Sequence, residues 1–212
     1  MRTFSPLLLL ALGCAAGTGA HAGSWQFVTG LYGTEGGDDA ATVVFTNKSR
    51  QHVRTAELGE IHVGAAYQFH NAPWAVQMTL GYQRSTTRSD QGSVYALLYP
   101  YAGKGVVANV TASFKHYPLD ALVLAQVAPA WRLGAGLRRS FDPSVNTALS
   151  GSSVGDFHFH AQTGYVAQGE WLLYPSCSLV LRRVWEQYTY TGTNSTVTLS
   201  GNSWGVGMDF RF

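Results

Sequence analysis

The sequence predicts an all-β fold, an eight-stranded antiparallel up-and-down β-barrel that spans a membrane, from three observations. Charged residues make up only 12% of the chain and aromatic residues 13%, whereas soluble domains average about 25% charged residues. No apolar run beyond the N-terminal segment reaches the roughly 18 residues that a membrane-spanning helix needs. Instead, apolar residues recur at every second position in eight segments, as in strands with one lipid face and one polar face.

The N-terminal segment 1–22 has the pattern of a signal peptide, and residues 23–212 are expected to form one barrel domain. Arg2 precedes a short apolar stretch, and Ala20-His21-Ala22 is an A-x-A cleavage site. The stretch around Cys14 faintly resembles a lipoprotein box, so lipid attachment is an alternative to simple cleavage.

The charge balance of the mature chain argues against a nucleic-acid-binding protein, and its cysteine count argues against a disulfide-bonded one. Loss of Arg2 with the signal segment leaves 13 basic residues of 14 against 12 acidic ones. So small a net charge argues against a nucleic-acid partner, which would need a strongly basic surface. Cys177 is then the one remaining cysteine, so no intramolecular disulfide is expected.

The first four predicted strands cover about 24–33, 57–69, 74–86 and 111–127. In the second, Ile61, Val63 and Tyr67 lie on the lipid face, and Glu60 alternates with them toward the interior. The fourth is the least regular, and Pro118 within it indicates a bulge or a strand end.

The other four cover about 131–141, 156–173, 177–190 and the C-terminal strand that ends at Phe212. The alternation in the sixth puts Phe157 and Phe159 outside and His158, His160 and Gln162 inside. The terminal strand carries its apolar row on one face, namely Trp204, Val206, Met208, Phe210 and Phe212.

The connections between the strands alternate between short and long. Three are tight and contain proline, at Asn71-Ala72-Pro73, Ala128-Pro129-Ala130 and Pro175-Ser176. Four are long, at about 34–56, 87–110, 142–155 and 191–202, and the second leaves room for a further hairpin. Short periplasmic turns and long extracellular loops are typical of outer-membrane barrels, so both chain ends are expected in the periplasm. Trp25, Trp74, Trp131 and Trp204 are then expected in an aromatic girdle at the periplasmic strand ends.

A soluble lipocalin-like barrel is the alternative for this strand pattern. Such a barrel keeps its apolar residues inside and its charged residues outside. In this sequence the apolar rows carry almost no charge, while glycine and charged residues share the opposite rows. The membrane barrel is therefore the preferred interpretation.

Residues 23–212 resemble the small outer-membrane barrels of the OmpA-, OmpX- and OmpW-like group, and two segments carry the resemblance. They are the ending Asp209-Phe210-Arg211-Phe212 and the stretch Trp131-Arg132-Leu133-Gly134-Ala135-Gly136-Leu137. The resemblance implies a monomeric outer-membrane protein in contact with lipid, lipopolysaccharide and the assembly machinery, with Phe210 and Phe212 as the assembly signal. This group includes adhesins, hydrophobic-solute channels, lipid A-modifying enzymes and structural barrels, so the fold does not select a function.

Nine charged residues are assigned to the barrel interior. The interior of an eight-stranded barrel is only wide enough for its own side chains, and buried charges must be paired. A salt-bridged plug is the favoured interpretation, with a gated proton or ion path as the alternative. The residues are Glu60, Asp120, Arg132, Arg138, Glu170, Arg182, Glu186, Asp209 and Arg211.

The sequence indicates no catalytic, metal or cofactor site. His158-x-His160 is a weak metal signal without a third ligand fixed by spacing, and lumenal packing of these histidines is favoured. No histidine is followed two residues later by serine, the pattern of lipid A deacylases. The loop residues Asp90, Ser93, Asp142 and Ser144 leave a palmitoyltransferase-like cluster as an alternative, but such residues are common in loops.

Two loop segments are candidates for binding. Lys48, Arg50, His52 and Arg54 recur at spacing two, which would place them on one face of an extended segment near lipopolysaccharide phosphates. A solvated charge stripe is the alternative. The apolar stretch 94–101 in the second loop is either an exposed binding patch or a strand that packs on its neighbours.

The favoured function is therefore a non-enzymatic structural or surface-interaction protein that acts through its extracellular loops. A narrow channel for small or hydrophobic solutes is the alternative, and a lipid A-modifying enzyme is the third.

Overall fold

The computed structural model describes residues 24–45, 50–88, 94–98, 101–102, 110–149, 152–191 and 196–212. In this part of the chain no helix is long and apolar enough to cross a membrane. The predicted signal peptide, including Cys14, lies outside the described residues.

Strands are numbered along the chain, and eight of them form the barrel wall. Alternating apolar residues account for each, since every wall strand has one outward and one inward row. They are β1 (Trp25–Gly36), β4 (Leu58–Gln68), β5 (Trp74–Arg88), β8 (Val110–Ala128), β9 (Trp131–Leu149), β12 (Gly164–Tyr174), β13 (Cys177–Trp185) and β16 (Ser203–Arg211).

The wall closes on itself, which confirms the predicted fold. Each wall strand pairs antiparallel with the next wall strand along the chain, and β16 pairs with β1 over a register from Val28↔Arg211 to Gly36↔Ser203. At the seam, the amide of Phe27 donates to the carbonyl of Phe212 at 2.9 Å, and the amide of Phe212 donates back at 3.0 Å. A closed wall leaves no wall strand with an unpaired edge.

The two ends of the barrel differ, as the connection lengths predicted. The short turns join β4 to β5, β8 to β9 and β12 to β13 at residues 69–73, 129–130 and 175–176. We call this side the turn end, and both chain ends of the described barrel lie there, because β1 begins beside the last residues of β16. The opposite side is called the loop end.

The longer connections at the loop end contain strands of their own. These are β2 (Asp39–Phe45), β3 (Arg50–Arg54), β6 (Val94–Leu98), β7 (Tyr101–Ala102), β10 (Ser152–His158), β11 (His160–Ala161), β14 (Gln187–Thr191) and β15 (Thr196–Ser200). A four-stranded sheet has the order β3-β2-β6-β7, and a three-stranded sheet has the order β11-β14-β15. The second loop therefore adds a hairpin, since β6 pairs with both β2 and β7.

The outward row of the wall is an apolar belt. Its exposed members include Ile61, Val63, Met78, Leu80, Val123, Leu133, Leu137, Leu181 and Val206. Exposed aromatic residues border the belt, among them Trp25, Trp74 and Trp131 at the turn end and Tyr165 and Trp185 at the loop end. An apolar belt between aromatic girdles is the membrane-facing surface of an outer-membrane barrel. The arrangement excludes the lipocalin-like alternative, whose apolar residues would point inward.

Three details of the wall differ from the sequence prediction or refine it. Trp204 lies at the loop end, not at the turn end, because β16 runs from the loop end toward the turn end and Trp204 is near its start. Phe210 is only 6% exposed, so the outward row of β16 is not uniformly open to lipid. Pro118 lies inside a continuous β8, and the register shift against β9 occurs beside it, between Lys115 and Tyr117.

Candidate functional site

The barrel interior contains all nine charged residues that the sequence assigned to it. They occupy inward positions on six of the wall strands and at the residue after β13, and their side chains are buried apart from the half-buried Arg132. Five carboxylates thus share the interior with four guanidinium groups.

A central ion cluster is formed by Glu60, Asp120, Arg138, Arg182 and Glu186. Arg138 Nη2 lies 2.6 Å from Glu60 Oε2, and Nη1 lies 3.3 Å from Asp120 Oδ2. Arg138 Nε lies 3.5 Å from Glu186 Oε2. Arg182 bonds to the same two acids, at 3.1 Å to Glu60 Oε1 and through a short contact to Asp120. The two arginines therefore bridge strands β4, β8, β9 and β13 across the lumen.

A second ion cluster lies nearer the turn end. Arg211 Nη2 lies 2.7 Å from Glu170 Oε1 and donates to Gln77 Oε1 at 3.1 Å. The Arg132 guanidinium lies 3.8 Å from Glu170 Oε2, and its Nε donates to Gln126 at 2.9 Å. These contacts link β5, β8, β9, β12 and β16 at the narrow base of the lumen.

Asp209, His62 and Tyr32 connect the two clusters, since Asp209 Oδ2 lies 3.8 Å from Arg211 Nη2 of the second cluster and Tyr32 contacts Arg182 of the central one. His62 Nε2 lies 3.2 Å from Asp209 Oδ1, and the Tyr32 hydroxyl donates to the same oxygen at 2.6 Å. The Tyr32 ring stacks on His62 at 4.9 Å, and the Arg182 guanidinium lies 4.7 Å from its centroid. Gly30 leaves the necessary space, since a Cβ there would lie 2.5 Å from Asp209 Oδ1. Sequence alternation placed these side chains inside but could not show which of them meet.

Above the central ion cluster, toward the loop end, the interior becomes apolar. We call this region the apolar plug, a buried cluster of Ala40, Ala41, Val53, Ala112, Phe114, Val145, Phe159, Tyr188 and Leu199. Eight of its members come from β8 and β9 of the wall and from β2, β3, β14 and β15 of the loop-end sheets, and Phe159 lies between β10 and β11. Sequence reasoning missed the plug, because five of its residues lie in segments that were predicted as loops and the other four lie in predicted strands whose partners were unknown. The five are Ala40, Ala41, Val53, Val145 and Leu199, and the four are Ala112, Phe114, Phe159 and Tyr188.

Tyr188 joins the plug to the central ion cluster. Its hydroxyl donates to Glu186 Oε2 at 2.9 Å, while its ring packs against Phe114 at 5.3 Å. Burial raises the pKa of Tyr188 well above its usual value, and the neighbouring Glu186 charge adds to the effect. The tyrosine therefore remains neutral and can donate its hydrogen bond across the physiological pH range.

One serine, one histidine and one acid meet at this level. His116 Nδ1 lies 2.8 Å from Ser140 Oγ, and Glu186 Oε1 accepts from the Ser140 amide at 2.8 Å. The acid contacts the serine backbone and not the histidine, unlike a catalytic triad. Both His116 and Ser140 are buried, and the histidine packs against the ring of Phe114. The arrangement fits a structural role in the lumen.

The predicted orientation of the sixth segment is wrong at its loop end. Phe159 is buried in the apolar plug, whereas His158, His160 and Gln162 are exposed. The segment is split into β10, β11 and β12, and residues 162–163 lie outside any strand, which changes the row that faces inward. The histidines therefore do not pack in the lumen.

The exposed His158 binds a loop carboxylate. Its Nδ1 lies 2.9 Å from Asp142 Oδ1, and its Nε2 lies 3.6 Å from Asp156 Oδ2. Across the described ranges, no group of three or more His, Cys, Asp or Glu side chains is arranged to hold a metal ion. Of the other loop residues considered for catalysis, Ser144 is buried, and Asp90 and Ser93 lie outside the described residues.

The basic stripe of the first loop is described only in part. Lys48 lies outside the described residues, and Arg50 begins β3. His52 Nδ1 lies 2.6 Å from Asp39 Oδ2, and Arg54 Nε lies 3.6 Å from Asp39 Oδ1. Asp39 thus offsets part of the positive charge that the spacing predicted.

At the turn end, a cavity of about 670 Å³ leads into the barrel. It is lined by Trp25, Gln126, Arg132, Arg211 and Phe212, among others. The second ion cluster forms its inner limit, because Arg132 and Arg211 line the cavity and both contact Glu170. Seen from the turn end, the lumen is therefore a vestibule that ends at a bonded charge network.

No protein-family model matches the chain, and no curated protein matches it in sequence. Solved structures similar to it include Ail of Yersinia pestis, at 13% identity with a TM-score of 0.47, covering 91% of this chain and 100% of Ail. Neisserial surface protein A has 10% identity, a TM-score of 0.47 and coverage of 89% and 97%. OprG of Pseudomonas aeruginosa has 13% identity, a TM-score of 0.41 and coverage of 90% and 96%.

Identities and TM-scores this low carry no information on ligands or roles. The assignment depends instead on the chain's own closed wall of eight antiparallel strands, its apolar exterior and its ion-paired interior. The protein is a small, closed, eight-stranded antiparallel β-barrel with a membrane-facing apolar belt, the architecture that its alternating sequence pattern predicted.

Proposed function

We propose that this protein is a non-enzymatic outer-membrane barrel that acts through the surface of its loop end and does not conduct solutes. The observation that carries the proposal is the continuous filling of the lumen. Two ion clusters and the link through Asp209 and His62 occupy its lower and middle parts, and the apolar plug covers them at the loop end.

Because the lumen is filled with side chains, a solute that crosses it would have to displace bonded groups. A polar solute would have to break the Arg138 and Arg182 bonds to Glu60 and Asp120, and each ion pair broken leaves buried charges unpaired. It would then have to pass Phe114 and Tyr188, which offer almost no hydrogen-bonding groups. An apolar solute would have to cross the charge clusters, so neither class has a continuous favourable route.

The loop end provides an ordered surface for contact with partners. The β3-β2-β6-β7 sheet and the β11-β14-β15 sheet extend beyond the wall, and Ala40, Ala41 and Leu199 anchor them in the apolar plug. Loops that are held by paired strands lose less conformational freedom on binding. This feature supports a surface-interaction role over a purely mechanical one.

Conductance tests the proposal directly. Refolded protein in planar bilayers is expected to give no current above that of the bare membrane, because the lumen is filled. A parallel flux measurement with vesicles and a small apolar solute should show entry no faster than into empty vesicles. Reproducible single-channel steps, or solute entry that scales with the amount of protein, would support the narrow-channel alternative instead.

The orientation of the barrel, its oligomeric state and its lipid neighbours belong to the same proposal. The turn end lies in the periplasm and the loop end outside the cell, the protein works as a monomer, and its neighbours are outer-membrane lipid and lipopolysaccharide. The closed wall supports the monomer, since no wall strand needs a partner chain. The stripe of Lys48, Arg50, His52 and Arg54 is proposed to lie toward lipopolysaccharide, with Asp39 weakening it.

Deletion of Phe212 is expected to lower the amount of folded barrel in cells. Phe212 is proposed to be read by the assembly machinery together with Phe210, and its backbone pairs with Phe27 at the seam of the wall. Heat-modifiable, protease-resistant barrel in outer-membrane fractions is the measurement, and most of it should be lost. Phe212→Tyr, which keeps an aromatic terminus, should assemble as the parent does. Normal levels in the deletion strain would show that the terminal aromatic residue is dispensable.

A further inference from the structure

Two cations face each other on the outside of the barrel, next to the apolar belt. Arg84 on β5 and Lys115 on β8 are directly opposite in register. Arg84 is exposed and Lys115 half-buried, and both belong to the outward rows of their strands. Two residues nearer the middle of the wall, Tyr82 and Tyr117 form a ring pair at 5.4 Å. The cations therefore lie just beyond the loop-end aromatic girdle.

Among the residues that the structure describes, neither cation has an acidic partner. Arg84 is opposite Gly59 on its other side and Lys115 is opposite Ser144. Over the ranges that the structure describes, no carboxylate lies within ion-pair distance of either side chain. Arg139 on β9 is also exposed, but it lies opposite Leu119, four residues along β8 from Lys115 and on the belt side of Tyr117. Like charges directly opposite each other in a sheet destabilise it, so this pair is unfavourable unless an anion lies between the side chains.

The position of the pair indicates the chemistry of that anion. Arginine and lysine bind phosphate oxygens strongly, and arginine can do so through two parallel hydrogen bonds. At the border of an apolar belt, the adjacent medium is the headgroup region of the bilayer, where the anionic groups are lipid phosphates. The tyrosine pair beneath would lie beside the acyl chains attached to the same headgroup.

We propose that Arg84 and Lys115 form a binding site for the phosphate of an anionic lipid in the leaflet at the loop end. With the orientation proposed above, this leaflet is the outer one and the lipid is the lipid A part of lipopolysaccharide. The site differs from the first-loop stripe, in which Asp39 already contacts both His52 and Arg54. It lies on the wall itself and is independent of whether the lumen conducts.

The test compares the parent with an Arg84→Gln/Lys115→Gln variant in phosphatidylcholine vesicles prepared with and without lipid A. Lipid A in both leaflets makes the result independent of the direction of insertion. Two exposed phosphate contacts correspond to about a tenfold difference in affinity, so the variant should retain lipid A about tenfold more weakly. Without lipid A, its urea midpoint should equal or exceed that of the parent, because the repulsion between the two cations is gone.

Arg183→Gln is the matched control. Arg183 is also outward and basic, but it lies opposite Trp204 and contacts the rings of Trp204 at 5.0 Å and Trp185 at 5.7 Å. This variant should retain lipid A as the parent does, and Lys115→Arg should keep binding because it keeps the charge. Equal losses in Arg183→Gln and in the double variant would overturn the proposal in favour of net charge alone. Unchanged binding in the double variant would overturn it as well.

Inorganic pyrophosphate separates a lipid site from a site for free phosphate. Added to the protein in zwitterionic detergent, it should compete weakly with lipid A and should not raise the urea midpoint by itself, because it lacks the acyl chains that lie along the tyrosines. Stabilisation by pyrophosphate equal to that by lipid A would show a phosphate site without lipid preference, against the proposal. A conducting parent protein would contradict the proposed function but would leave this result unaffected.

Discussion

Replacement of Arg138 by leucine is expected to lower the free energy of unfolding by about 3–5 kcal/mol. Arg138 is 2% exposed and contacts Glu60, Asp120 and Glu186. Leucine would leave Arg182 alone to balance Glu60 and Asp120, and it would leave Glu186 without its arginine. Urea unfolding in zwitterionic detergent, followed by tryptophan fluorescence, measures the loss.

Arg139→Leu provides the matched control, because Arg139 is the next residue along β9 and points outward. It should change the stability in that detergent far less, since exposed charges contribute about 1 kcal/mol or less. Combining Arg138→Leu with Glu60→Leu should recover part of the loss, because one stranded carboxylate is removed with the arginine. An Arg138→Leu barrel as stable as the parent would mean that water solvates the central ion cluster.

The wall and the composition of its interior could be predicted because both depend on a local property. Strand residues alternate between two faces, so Asp120, Arg138 and Arg182 were assigned inward without knowledge of their partners. The partners themselves depend on how eight strands curve and on the height at which each residue lies. Arg138 meets Glu60 from a position 78 residues away, and alternation contains no information on such a pair.

Alternation failed where the strands are interrupted. Asp142 has a positive φ of 46°, and near it β9 changes the row that faces inward, so that Val145 becomes part of the plug. The non-strand residues 162–163 do the same for Phe159. Such irregularities reverse the faces of the side chains on one side of the interruption relative to those on the other side. Of the plug residues, Ala40, Ala41, Val53, Tyr188 and Leu199 belong to loop-end strands, and Val145 and Phe159 lie on the loop-end side of these interruptions. Ala112 and Phe114 lie on the wall strand β8, but their partners in the plug come from these other segments, which is why the plug could not be predicted.

Gly136→Ala is expected to prevent the barrel from folding correctly. Gly136 lies on β9 between Leu122 of β8 and Val166 of β12. A Cβ at this position would lie 1.9 Å from the carbonyl oxygen of Ala121 and 2.8 Å from the Leu122 Cα. Backbone atoms of a paired strand cannot move aside as a flexible side chain can. The loss in the free energy of unfolding should therefore be larger than that of ordinary overpacking, which is about 1–3 kcal/mol. Refolding should yield little heat-modifiable barrel.

Gly169→Ala is the control, since it makes the same chemical change on the neighbouring strand β12. There the nearest atom to an added Cβ is Leu133 Cδ2 at 3.8 Å, an ordinary contact. This variant should fold with the yield and urea midpoint of the parent. Gly64→Ala, where a Cβ would lie 2.0 Å from the Met78 carbonyl oxygen, should fail as Gly136→Ala does. Refolding of both Gly136→Ala and Gly64→Ala at the parent's yield would contradict this prediction. It would mean that β8 and β9, and likewise β4 and β5, lie further apart at these positions than their pairing allows.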